Sequence, residues 1–96
     1  MLKIRVKKED AIYINGRKFI VAKINPVVCE IWNKNDLFKI GKDSPQKIEG
    51  LNVLFLEHDM GYVNLGFDGN KNIKVESENL HRKKNYSKLV AGFYGN

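Results

Sequence analysis

Apolar and polar residues alternate one for one through most of the first two-thirds of this chain, and that period restricts the fold more than any other feature. Leu2, Ile4 and Val6 alternate with Lys3, Arg5 and Lys7, which gives a half-buried strand with one apolar and one cationic face. Ile12-Tyr13-Ile14 then runs into Asn15-Gly16. Both positions of that pair tolerate positive φ, so it predicts a two-residue hairpin turn with Phe19 to Ile24 as the return strand. Asn25-Pro26 breaks the run, because proline has no N–H to give a ladder. Val27 to Trp32 is a further β-rich run, and Asn33 to Asp36 is a polar connection.

The second part repeats the rhythm. Leu37 to Ile40 predicts a short strand, Gly41 to Pro45 a loop, and Lys47-Ile48-Glu49 leads through Gly50 into the apolar run Leu51 to Leu56. His58-Asp59-Met60-Gly61 reads as a turn, Tyr62 to Phe67 as a strand and Asp68-Gly69-Asn70 as another turn. Ile73 and Val75 alternate with Lys74 and Glu76 in a last strand. Helical spacing enters only after that: Ser77 suits an N-cap, Tyr86, Leu89, Val90 and Phe93 share one helix face, and Gly92 suits the end. The expected architecture is a mainly β domain, with small antiparallel sheets or a barrel-like sheet and one C-terminal α-helix. A single domain, 1–96, divides into an N-terminal β unit at 1–36, a second β unit at 37–76 and a helix at 77–91.

A shift of 34 residues lays Ile14-Asn15-Gly16 on Ile48-Glu49-Gly50, Phe19-Ile20-Val21 on Val53-Leu54-Phe55, and Ile31 on Leu65. A duplicated hairpin unit accounts for this, and so does chance agreement between two alternating apolar patterns.

With 96 residues the chain suffices for one core. Seventeen Lys and Arg stand against eleven Asp and Glu, for a net charge of +6. The excess is uneven: residues 1–36 carry eight basic and four acidic groups, and residues 37–96 carry nine and seven. The single cysteine, Cys29, excludes an intramolecular disulfide framework and a Cys-cluster zinc site. No apolar run approaches the roughly 18 residues of a membrane-spanning helix, and the first residues lack the apolar stretch of a signal peptide. A basic protein of the cytoplasm with no membrane partner is therefore expected. Catalysis is not expected: His58 and His81 are the only histidines, and Cys29 sits in an apolar alternation where an inert buried thiol is the default. No cofactor or metal is expected, since Asp59 and Asp68 match no metal-loop spacing and no phosphate-binding glycine loop stands out.

The stretch 61–80, Gly61-Tyr62-Val63-Asn64-Leu65-Gly66-Phe67 followed by a polar turn with Lys71, then Ile73-Lys74-Val75-Glu76 and Ser77-Glu78-Asn79-Leu80, resembles the carbon storage regulator (CsrA) family. Members carry a Val-x-Ile-Gly-Val strand, a short polar turn with a Lys, a Val-x-Val strand and a Glu-containing helix start. In outline the resemblance extends over 37–84, with Leu37 to Ile40 standing for the family's first strand. It implies a strand-swapped homodimer whose edge strands bind RNA carrying a GGA element, usually in a hairpin loop, and so regulate translation. By position the RNA-facing elements would be Leu37 to Ile40 and Val75 to Ser77. The family has an Arg where this chain has Ser77 behind Glu76. Losing that cation costs about 1–3 kcal/mol at a base or phosphate contact, which implies altered specificity. Residues 1–36 would be either the second half of a pseudo-dimer or an added sheet.

The expected RNA contacts are Lys3, Arg5 and Lys7 on the first strand, Lys39, Lys74 and Ser77 in the family-like part, and the basic run Arg82, Lys83 and Lys84. Lysines at alternate strand positions suit a phosphate backbone, and equally a solvated edge that discourages aggregation. Arg17-Lys18 lies beside a hairpin tip, Tyr86 fits core packing better than base stacking, and Trp32 reads as core or interface rather than as a ligand platform. A different class stays open: eleven asparagines and many lysines suit a phage-type inhibitor, an interaction module for a host protein, or a binder of a nucleotide-like ligand.

Overall fold

The computed structural model describes residues 1–78. They form nine strands: β1 (Leu2–Lys7), β2 (Ala11–Ile14), β3 (Arg17–Ile24), β4 (Val28–Trp32), β5 (Leu37–Gly41), β6 (Gln46–Ile48), β7 (Leu51–Asp59), β8 (Tyr62–Gly69) and β9 (Val75–Ser77). All pairings are antiparallel, in one sheet of order β1-β8-β7-β6 and another of order β5-β4-β3-β2-β9. The mainly β architecture is as the alternation predicts. The helix expected at 77–91 lies outside the described residues apart from its first positions, and Ser77 is the last residue of β9.

The turns follow from backbone chemistry. Asn15-Gly16, Glu49-Gly50 and Met60-Gly61 all have positive φ at both central positions, 53° and 79°, 52° and 84°, 48° and 82°. Such turns carry the twist that two antiparallel strands need. The last of these shortens the turn expected at 58–61, because β7 continues through His58 and Asp59. Likewise β8 takes in Asp68 and Gly69, which the sequence assigns to a turn.

The 34-residue period runs through the hydrogen-bonded registers. Val21 faces Ile31 as Phe55 faces Leu65, and Ile14 faces Arg17 as Ile48 faces Leu51. Even the irregularities correspond: β3 shifts register between Val21 and Lys23, and β7 between Phe55 and Glu57. The crossovers match as well. Asp10 N–H donates to the Lys7 carbonyl at 3.1 Å, and Ser44 N–H donates to the Gly41 carbonyl at 3.1 Å. At each crossover the chain leaves one sheet for the other. The first strand of each unit therefore pairs with the last strand of the other: β1 with β8, Ile4 facing Leu65, and β5 with β4, Phe38 facing Ile31.

Both sheets bury their inner faces in one core. Val6, Phe55, Val63, Leu65 and Phe67 come from one sheet, and Ile12, Phe19, Val21, Ile31 and Ile40 from the other. Phe19 and Phe38 meet at a centroid distance of 6.1 Å and 59°, a tilted aromatic contact. Because the units share this core, Ile31→Ala and its counterpart Leu65→Ala should each lower stability by about 2–5 kcal/mol. In urea titrations followed by circular dichroism, both should shift the same single transition. A biphasic curve would contradict the shared core.

Candidate nucleic-acid interface

The outer face of the first sheet is built by the polar phase of β1. Lys3, Arg5 and Lys7 stand opposite Gly66, Asn64 and Tyr62 of β8, at an alternate-residue spacing of about 6.7 Å. All three are exposed, and β1 is an edge strand, so nothing pairs on its far side among the described residues. The Arg5 guanidinium lies 4.3 Å from the Tyr62 ring centroid, a cation–π contact that holds one planar cation flat on an aromatic. Further into the sheet the charge reverses. Glu57 accepts a hydrogen bond from Asn64 Nδ2 at 3.0 Å, and Asp59 stands opposite Tyr62. The cationic stripe therefore belongs to the edge rather than to the whole face.

The remaining expected contacts are dispersed. Lys39 lies on β5, the edge of the other sheet, directly opposite Glu30, which also faces Lys23. Lys74 precedes β9, where its carbonyl accepts the Asn15 N–H at 2.8 Å and its side chain is exposed. Ser77 stands opposite Ile12 in β9. Arg82, Lys83, Lys84 and Tyr86 lie outside the described residues. The structure thus brings Lys3, Arg5 and Lys7 together and leaves Lys39 and Lys74 apart from them.

The outer face of the second sheet holds what the alternation alone does not single out. Ala11, Ile20, Trp32 and Leu37 form one row across four neighbouring strands. Trp32 is 44% exposed, so the core reading of this residue is overturned. Its strand explains why: Cys29 and Ile31 occupy the inward phase of β4, which leaves Glu30 and Trp32 pointing out. Beside Trp32 lies a groove of about 430 Å³, lined also by Ile20, Arg17, Lys18, Lys34 and Asn35. Arg17 Nη1 is committed to Glu49 Oε1 at 2.7 Å. Asn33 shapes the adjoining turn, its Oδ1 accepting the N–H groups of Asn35 and Asp36 at 3.3 and 3.2 Å. The sequence signal for this site was the phase of Trp32 with Glu30, and of Ile20 with Lys18.

Among the described residues no group of three His, Cys, Asp or Glu side chains gathers at metal-binding distance, and no helix is long and apolar enough to cross a membrane. Cys29 is wholly buried, and its thiol is pushed up from 9.0 to about 12, first by burial and then by the nearby Glu30 charge. No family model, curated protein or solved structure matches the chain.

The thiol sets a pH dependence. The folded state holds Cys29 neutral while an unfolded chain ionises it above 9.0, so stability is full below that pH and falls as pH rises from 9.0 toward about 12. At pH 8 the native protein should leave a thiol reagent such as dithionitrobenzoate unreacted, with one equivalent released on unfolding. Rapid reaction of the folded protein would contradict the burial.

Proposed function

We propose that this protein binds single-stranded or hairpin-loop RNA and acts as a post-transcriptional regulator of the carbon storage regulator type with altered specificity. The observation that carries the reading is the cationic stripe Lys3, Arg5 and Lys7 on β1, an edge strand exchanged onto the other unit's sheet. The resemblance at 61–80 implies edge strands that bind RNA within a strand-swapped pair of units. Here the exchange of β1 and β5 supplies such a pair within one chain, and residues 1–36 act as the second unit of an internal dimer. The charge distribution supports the same assignment, since four of the six net positive charges fall in residues 1–36.

In this reading attraction comes from counterion release at the stripe. Arg5, held on Tyr62, gives a fixed planar donor set, while Lys3 and Lys7 act as mobile point charges on either side. Ser77 cannot supply the charge that the family's Arg brings to the same position, so readout of a GGA element weakens while backbone affinity persists. Lys39 contributes less than the stripe because Glu30 stands opposite it.

Filter binding to hairpin RNA across a salt series tests this. The wild type should bind at low salt, with affinity falling steeply as salt rises. Charge reversal at Lys3, Arg5 and Lys7 together should weaken binding at least tenfold, and should flatten the log–log salt slope by about 2, as expected for three lost contacts to a single strand. Absence of binding at low salt would overturn the assignment.

A further inference from the structure

The groove beside Trp32 has an internal control that few surface hollows possess. The 34-residue period gives each of its positions a counterpart on the outer face of the other sheet. There Gly66 stands for Trp32, Leu54 for Ile20, Asn52 for Lys18 and Asp68 for Lys34. Gly66 is buried beneath its own molecule: a Cβ placed on it would lie 2.5 Å from the Met1 sulfur and 3.1 Å from Leu56 Cδ1. The same backbone position thus carries glycine, covered by the side chains of Met1 and Leu56, in one half and the protein's only tryptophan in the other. The architecture therefore does not require an aromatic here, and packing does not account for Trp32.

The chemistry around the indole points one way. Ile20 and Trp32 give an apolar floor, and among the described residues Lys18 and Lys34 make no ion pair. Among the described residues no carboxylate lines the groove, whereas Asp68 occupies the Lys34 position in the other half. The register that sets Ile20 opposite Trp32 brings Lys18 and Lys34 to the same end of this floor, and a flat apolar surface beside two ammonium groups suits a planar ring with its phosphate backbone running past that end. The Asn35 side chain has no hydrogen bond among the described residues, and its amide offers both a donor and an acceptor to a base edge. At about 430 Å³ the groove falls within the ~300–1,000 Å³ range of sites that enclose a small ligand group.

We propose that the Trp32 groove takes one unstacked base of single-stranded RNA, with Lys18 and Lys34 on its flanking phosphates. This rests on the RNA-binding reading and adds to it a base-contacting site separate from the β1 edge. Since the counterpart positions carry neither an aromatic nor cations, the described residues hold one such site and not two. Stacking tolerates any base, so this contact adds affinity for unpaired RNA with little sequence preference.

The test uses the full chain and a labelled unstructured RNA of about twelve nucleotides, a length within the site sizes of single-strand binders. Anisotropy reports binding, and fluorescence excited to the red of tyrosine absorption reports the single tryptophan, Trp32. Expected are quenching that saturates at one RNA per chain, roughly tenfold weaker binding by Trp32→Ala, and recovery to near wild type in Trp32→Phe. The exposure of Trp32 favours a folded Ala variant, checked by circular dichroism. A Lys18→Glu, Lys34→Glu double variant, which leaves the indole in place, should weaken binding and quenching together. Binding by anisotropy with unchanged fluorescence and an unaffected Trp32→Ala would overturn the groove and leave the RNA reading standing. No anisotropy change at low salt would overturn the RNA reading. If adenosine monophosphate then still quenched Trp32, the assignment of the groove to RNA would fall in favour of a free nucleotide.

Discussion

The exchange of first strands between the two units is the pairing on which everything else rests. Taken alone, β2-β3-β4 or β6-β7-β8 is a three-stranded meander with an exposed apolar face and an unpaired edge on its last strand. Covering that edge with a strand from the other unit satisfies the ladder groups of β4 and β8. The short crossovers after Lys7 and Gly41 carry the chain straight from one sheet into the other. One connection thereby does two things, pairing an edge and pressing the two apolar faces together. A strand that returned to its own unit would need a longer connection, and would leave two half-cores to be held by contact alone.

Once the backbone repeats, differences between the halves become informative, because the fold makes the same demands on both. Central inward positions keep the same character, since Val21 and Phe55, Ile31 and Leu65, Ile14 and Ile48 are all buried apolar residues, while buried Ile12, Leu51 and Phe67 correspond to Gln46, Arg17 and Asn33. Several outward positions do not keep theirs. Arg5 corresponds to Lys39, but Lys3 and Lys7 correspond to Leu37 and Gly41, so the cationic stripe exists on one exchanged edge only. Trp32 against Gly66 and Lys34 against Asp68 diverge in the same manner. The cationic stripe and the Trp32 groove are thus features of one half each and not of the repeat.

Much of this was legible in the alternation, and the misses have physical causes. Asn15-Gly16 announced its turn through residues that accept positive φ, whereas Met60-Gly61 makes the same turn with a residue that seldom adopts it. The polar residues His58 and Asp59 imitate a turn because the register shift near Leu56 moves the inward phase by one residue. Leu51, Val53 and Phe55 point in, and after the shift His58 faces the buried Val63 instead. An alternation that changes phase within a strand looks like the strand's end. The partner of β1 carries no local signal, since the pairing of Leu2–Lys7 with Tyr62–Gly69 depends on contacts across nearly the whole described chain. Of the two readings of Trp32, core or interface, the core one fails because its phase with Glu30 places it outside.

The two candidate surfaces differ in what they can contribute to a proposed complex, and their placement constrains the RNA. Lys3, Arg5 and Lys7 act at a distance of about a Debye length and weaken as salt is raised, whereas Trp32 acts only on contact and is indifferent to sequence. The stripe lies on the outer face of one sheet and the groove on the outer face of the other, with a shared core between them. Stacked sheets sit about 10 Å apart before side chains are added. An RNA touching both surfaces must therefore pass around an edge of the structure. A few nucleotides can satisfy the stripe or the groove but not both, which makes a hairpin loop with its flanking strand a better fit than a short oligonucleotide.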